Sequence, residues 1–295
     1  CIHCHRCLTF KDNGCVAANS IRKTSTMINN ESNMNVFSIK KFNTFGLRNS
    51  WIQQYYKTPE TFLTQEAKDY LNVKKQLPIF TNWLMSAGLV DSKDKSQTEL
   101  SKILADYLTT DSALFWQMLW VNLCFDNELC LWFSANIDYD RLYLREDLTA
   151  LMEHTFNTVP ESSRDNALKS LLNTFNETPL GNNMNIGRVI KTGNKVSVRR
   201  SPLNDVSLPV MAYSLYRYAE KTGRHSLTVS ELYNSEQTDG IVRQFGIERE
   251  PLEQTLRSLE QDVNHVLRAE LKMGLDNIIL REDLTSEDII KLMLK

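Results

Sequence analysis

The stretch from Ala113 to Phe125 constrains this chain more than any other, because Leu114, Phe115, Trp116, Met118, Leu119, Trp120 and Val121 leave a helix there almost no polar side. A surface helix carries a single apolar stripe. A helix apolar nearly all round must be enclosed by other elements, so it belongs in the middle of a domain. The flanking sequence supplies the enclosure. Leu100 to Leu108, Leu144 to Phe156 and Arg164 to Phe175 read as helices, the last with Leu168, Leu171 and Leu172 on its apolar face. Upstream, Leu47, Trp51 and Tyr55 recur on one side of a helix that ends near Tyr56, three residues before Pro59. A helix from Gln65 to Leu71 capped by Thr64, the turn Asn72-Val73 and a helix from Lys74 to Ala87 closed by Gly88 have helix-turn-helix spacing. Leu77, Phe80, Leu84 and Ala87 line the core side of that second helix, and Pro78 demands a first-turn position, hence a start near Lys75. Cys130 to Phe133 reads as a short strand.

The C-terminal third has a different pattern. Arg188 to Lys191, the turn Thr192-Gly193-Asn194 and Lys195 to Arg199 alternate apolar and basic side chains, as a hairpin does. Arg188, Lys191, Lys195, Arg199 and Arg200 put five positive charges into a span with no acid between Glu177 and Asp205. Such a ribbon is suited to phosphate contact, and equally to keeping a sheet edge from aggregating. Pro209 to Lys221 is helical. Thr228 to Tyr233 and Glu250 to Gln261 have the spacing of a second helix-turn-helix, and Val266 to Leu271 and Asn277 to Arg281 flank Gly274-Leu275-Asp276 as a wing would. A helix capped by Ser286 closes the chain. The pairs Glu146-Asp147 and Glu282-Asp283 read as acids at helix starts.

The predicted fold is therefore mainly α, with two helix-turn-helix or winged-helix-like modules, short β-hairpins and a small cysteine-rich metal-type segment. Its predicted divisions are a cysteine-rich segment over 1–19, a linker over 20–41, a helical domain over 42–176, and the basic hairpin with a winged-helix-like domain over 177–295. A net charge of −2 gives no global field for nucleic acid, so any such binding has to come from local patches. No apolar run approaches the ~20 residues of a membrane span, and no membrane partner is expected.

Four of six cysteines fall within the first fifteen residues, as Cys1-x2-Cys4-x2-Cys7-x7-Cys15. Closely spaced thiolates presented by a tight turn can grip one corner of a metal centre while a remote fourth closes the tetrahedron, so an iron–sulfur cluster or zinc is expected there. The crowding fits a reducing compartment better than a spread disulfide framework, which points to the cytoplasm. A start at a would-be ligand suggests an excerpt of a longer protein. Cys124 and Cys130 lie in apolar surroundings and read as core. His154, His225 and His265 have no partner at ligand spacing, and no phosphate loop, nucleophile elbow or nucleophile–base pair occurs, so no catalytic residue is assigned.

Several segments resemble an uncharacterised bacterial domain family, catalogued as a domain of unknown function, whose members accompany or are fused to phosphoadenosine phosphosulfate reductase-like proteins. They are Thr44-Phe45-Gly46-Leu47-Arg48-Asn49-Ser50-Trp51, Leu71-Asn72-Val73-Lys74-Lys75 with Asn82-Trp83-Leu84, Gly88-Leu89-Val90 and Leu114-Phe115-Trp116-x3-Trp120, with a looser fit at Leu275-Asp276. Where the family has Val-Gly-Lys-Asn this chain has Val73-Lys74-Lys75-Gln76, losing the glycine that permits close backbone approach. The cysteine segment and linker look like the C-terminal tail of the reductase-like protein. The resemblance implies a sulfur-transfer or reductase partner and a setting of sulfur-based DNA modification or phage defence. The expected role is a non-catalytic module that binds DNA, with Lys74, Lys75 and the basic hairpin on phosphates. The alternatives are a working part of the reductase through its cysteine cluster, or a protein-interaction adaptor. Reduced, anaerobically prepared protein is expected to carry iron absorbing near ~400 nm, or spectroscopically silent zinc; recovery of neither metal would remove the cysteine-site assignment.

Overall fold

A computed structural model describes residues Ile39 to Leu294, and in it side-chain caps decide where the central apolar stretch breaks into helices. A 3₁₀ turn, Ile39–Phe42, leads to α1 (Asn49–Tyr55). A π turn, Phe62–Glu66, and a 3₁₀ turn, Ala67–Asp69, precede α2 (Leu77–Ser86) and α3 (Glu99–Thr110). The apolar stretch itself becomes α4 (Ser112–Asp126) and α5 (Glu128–Asn136). Thr98, Asp111 and Asn127 begin α3, α4 and α5, each accepting the free amide of its first turn; Asn127 Oδ1 takes those of Leu129 and Cys130 at 3.0 and 3.2 Å. That cap makes Cys130 to Phe133 helical, where alternation alone suggests a strand. Leu114 through Cys124 are buried on every side, against α2, α3, α5 and later elements.

Strand β1 (Leu142–Leu144) runs straight into α6 (Arg145–Thr155), whose start is fixed by the Leu144 amide donating to Asp147 Oδ2 at 2.8 Å. Helices α7 (Glu161–Glu177) and α8 (Pro179–Asn182) lead to the hairpin of β2 (Arg188–Thr192) and β3 (Lys195–Arg199). The three strands form an antiparallel sheet in the order β1-β3-β2. Next come α9 (Leu208–Thr222), β4 (Ser226–Thr228), α10 (Val229–Leu232), α11 (Ile241–Phe245) and α12 (Arg249–Gln261). Strands β5 (Leu267–Glu270) and β6 (Asn277–Leu280) and helix α13 (Ser286–Met293) complete the chain. A second antiparallel sheet has the order β4-β6-β5, and Tyr216 of α9 pins it by donating to Val266 O at 2.6 Å and accepting from the Arg281 amide at 3.0 Å.

The molecule is mainly helical with small antiparallel sheets, as the sequence predicts, and besides Cys130 to Phe133 it differs from the prediction in four further places. Gln65 to Leu71 is not α-helical: a π turn and a 3₁₀ turn carry the chain there, with Phe62, Ala67 and Leu71 buried in the core. Helix α2 starts at Leu77, later than expected, since Asn72 has already claimed the preceding amides. Glu282 and Asp283 precede the last helix by several residues; Asp283 pairs with Arg281, and Thr285 with Asp288 forms the cap. No break in packing falls at Asn176: β1 from before it pairs with β3 from after it, and Trp120 Nε1 of α4 donates to Gln244 O of α11 at 2.8 Å. No helix among the described residues is long and apolar enough to cross a membrane.

One contact explains the Thr44-Phe45-Gly46-Leu47 run. The loop before α1 lies directly on α7, where the Leu47 amide donates to Thr174 Oγ1 at 2.9 Å and Ser170 Oγ donates to Phe45 O at 2.8 Å. A Cβ at Gly46 would stand 2.4 Å from Ser170 O and Thr174 N, both backbone atoms that cannot move alone. Gly46→Ala is expected to cost at least about 2 kcal/mol in urea unfolding; a loss under about 0.5 kcal/mol would show that loop and helix separate freely.

Candidate nucleic-acid interface

The register of the first sheet sorts the basic residues, because side chains alternate between its faces. Val189, Val198 and Tyr143 lie in one cross-strand row and point inward; the last two are buried. Arg188, Arg199 and Lys195 therefore point outward, with Ile190, Leu142 and Leu144 on the same face. Lys191 has the inward parity and is exposed only because it sits at the hairpin end, opposite Val196. The basic residues thus do not share one face. Arg188 and Arg199 oppose each other directly, a repulsive pairing that Asp140 relieves at 3.3 Å from Arg199. Among the described residues no carboxylate lies within 4 Å of the Arg188, Lys191 or Lys195 side chain. These three are the available charges of the hairpin.

Arg200 departs from the sequence expectation: it is fully buried and cannot touch a phosphate. Its Nη1 donates to Ser134 O and Ile137 O at 2.9 and 3.0 Å, and its Nη2 to the Tyr139 hydroxyl and to Arg243 O and Gln244 O. The guanidinium lies over the Tyr139 ring at 4.1 Å and the Phe133 ring at 5.3 Å. Burial pulls its pKa below the usual arginine value, with the neighbouring Tyr139 acting in the opposite direction. Sequence could not separate Arg199 from Arg200, since the two differ only in which side of the strand end they leave.

Lys74 and Lys75 occupy a turn before α2 rather than the helix itself. Asn72 Oδ1 accepts from both lysine amides, at 3.1 and 2.9 Å, and the Asn72 amide donates to Gln76 Oε1 at 2.8 Å. Both lysine side chains project into solvent. They line a cleft of about 540 Å³ with Lys41, Asn43, Thr44, Phe45, Pro78 and Ile79. Lys41 is the residue sequence reading missed. The Ile39–Phe42 turn brings it there, held by Phe42 packing on Trp83 at 4.5 Å between ring centres and by Asn82 Nδ2 donating to Lys41 O at 3.4 Å. Nothing local in the sequence marks that meeting.

Helix α12 carries two arginines against three glutamates, a net charge of −1. Glu253 accepts from Arg249 at 3.0 Å and from Arg257 at 3.1 Å, and Arg249 also approaches Asp276. The arginines of this helix are thus neutralised within it, unlike the hairpin and cleft cations. Cys124 and Cys130 are buried thiols, as expected, and burial pushes the Cys124 pKa up to about 12. The four expected metal ligands Cys1, Cys4, Cys7 and Cys15 lie outside the described residues. Among the described residues no group of three or more His, Cys, Asp or Glu side chains could hold a metal ion.

No family model and no curated protein matches the chain. Two solved structures do match in fold. One is described as magnesium ion-bound SspB, with a TM-score of 0.60 and 15% identity over 87% of this chain and 92% of that one. The other is an SspB crystal structure, with a TM-score of 0.58 and 15% identity over 87% of this chain and 88% of that one. The likeness is one of fold alone. At 15% identity it carries no residue role across, but the shared architecture extends over 87% of this chain.

The two neighbours Arg199 and Arg200 separate binding from folding. Arg200→Ala would take the guanidinium donor from the buried carbonyls of Ser134 and Ile137 and weaken the satisfaction of those of Arg243 and Gln244, which keep Tyr139 and Trp120 as donors; it is expected to cost about 3–5 kcal/mol in chemical denaturation. Arg199→Ala removes half of an exposed ion pair and is expected to cost within about 0.5 kcal/mol. Equal losses for the two would contradict the burial assignment.

Proposed function

We propose that this chain is a DNA-binding module without catalytic residues of its own, serving a phosphoadenosine phosphosulfate reductase-like protein fused to it or acting beside it. The observation that carries the reading is the outward row of hairpin cations, Arg188 and Lys195 with Lys191 at the tip, which no described carboxylate neutralises. Cations held on a rigid antiparallel ribbon release counterions from a duplex without losing side-chain order, which favours phosphate contact. The order α9, β4, α10, α11, α12, β5, β6 supports a winged-helix reading, in which α12 would be the recognition helix and β5–β6 the wing. Its balanced charge assigns α12 to base edges or to a protein partner, and leaves phosphate binding to the hairpin.

The sulfur-based DNA modification or phage-defence setting rests on the resemblance of the Thr44–Trp51, Leu71–Lys75 and Leu114–Trp120 segments. An iron–sulfur or zinc centre on Cys1, Cys4, Cys7 and Cys15 rests on their spacing. The adaptor reading is favoured by the self-neutralised α12 surface, since charge-balanced helix faces suit protein contacts. A gel-shift series with Arg188→Glu, Lys191→Glu and Lys195→Glu combined is expected to weaken duplex binding more than tenfold. It should also flatten the log–log salt dependence by nearly three, about 0.9 per lost phosphate contact. Unchanged affinity would overturn the hairpin assignment, and a chain that captures its reductase-like partner but no DNA would replace this reading with the adaptor.

A further inference from the structure

The lysine cleft differs in kind from the hairpin. The hairpin cations sit on an open sheet face suited to the outside of a duplex, whereas Lys41, Lys74 and Lys75 converge on a concave site of about 540 Å³. That is within the ~300–1,000 Å³ of small-molecule sites. The turn amides are already engaged, because Asn72 Oδ1 takes those of Lys74 and Lys75 while Asn72 O takes those of Gln76 and Leu77 at 2.7 and 3.2 Å. Ammonium groups, rather than a helix terminus, therefore supply the positive field. No described carboxylate lies within 4 Å of any of the three. The acid that does influence Lys41 is Glu128, whose carboxyl burial pushes up while Lys41 pulls it down. Three lysines in the lining of one cleft favour an anion there.

The other walls are not those of a simple anion site. Phe45 and Pro78 are apolar members of the lining, and Asn43 and Thr44 are polar ones. Asn43 stands at φ 46°, a left-handed conformation that asparagine tolerates and that turns the chain around the cleft rim. An aromatic ring, amide and hydroxyl partners and a cluster of ammonium groups match, in that order, a base, its edge and its phosphate.

The geometry points to a nucleoside-phosphate site: the cleft of Lys41, Lys74, Lys75, Phe45 and Pro78 holds one unstacked nucleotide, its base against Phe45 and its phosphate on the lysines. The nucleotide comes either from an unpaired stretch of DNA or from solution as a free monophosphate. This inference rests on the DNA-binding reading for its setting but uses different residues, so the two fail separately.

The test compares the full chain with Lys41→Ala/Lys75→Ala and with Phe45→Leu, which preserves apolar volume. The probes are a blunt duplex, oligothymidylate and free dTMP, with thermal unfolding of each variant as the control for fold. The expected result is at least a tenfold loss of oligothymidylate affinity in both variants, with blunt-duplex affinity changed less than threefold. A fall in the salt slope of about 0.7 per phosphate contact should accompany the lysine change alone. Saturable dTMP binding lost in the same variants would make the free nucleotide the source, while oligothymidylate binding without dTMP binding would make it the strand. Oligothymidylate and dTMP binding unchanged in folded variants, or absent from the parent chain, would overturn the inference. Duplex binding lost only on hairpin charge reversal would leave the proposed function standing without it.

Discussion

The guanidinium of Arg200 is the contact on which the rest of the arrangement depends. It leaves the end of β3 and joins the C-terminal end of α5, the following loop through Tyr139, and the last turn of α11. A buried charge without a carboxylate survives only when dipoles replace its water, and here four backbone carbonyls, a hydroxyl and two aromatic faces do so. Because those groups come from elements far apart in sequence, the sheet β1-β3-β2 and the helices α5 and α11 have one satisfactory relative placement. Trp120 strengthens it by donating to the same Gln244 carbonyl that Arg200 reaches.

A second constraint runs along α7. The loop before α1 approaches its backbone so closely that only glycine fits at position 46, and Gly187 lies against Phe175 just before β2. The 3₁₀ turn carrying Lys41 and the strand carrying Arg188 are both packed on this helix. The two basic surfaces are thus mounted on one rigid element. Surface charges gain in binding from such mounting, since less side-chain and loop freedom is lost on contact.

The distribution of charge is informative because the net value is so small. In α12 the arginines are consumed by Glu253 one turn away, as exposed helix faces commonly arrange. On the hairpin Arg199 pairs with Asp140, while Arg188, Lys191, Lys195 and the cleft lysines stand without a described acid within ion-pair distance. The hairpin and the lysine cleft thus carry unneutralised cations that α12 lacks, a separation visible only when the basic residues are placed in space.

Local pattern determined the helical class, the enclosed position of Leu114 to Cys124, both hairpins and the buried state of Cys124 and Cys130, because periodicity and composition act within a few residues of one another. It could not say that Asn127 would start a helix through Cys130, since a cap competes with alternation and the outcome depends on what the segment packs against. Nor could it tell Arg199 from Arg200, or bring Lys41 to Lys74 and Lys75. Those were decided by tertiary structure, because whether a charged side chain meets water, a carbonyl or another charge depends on chain segments that only folding brings near it.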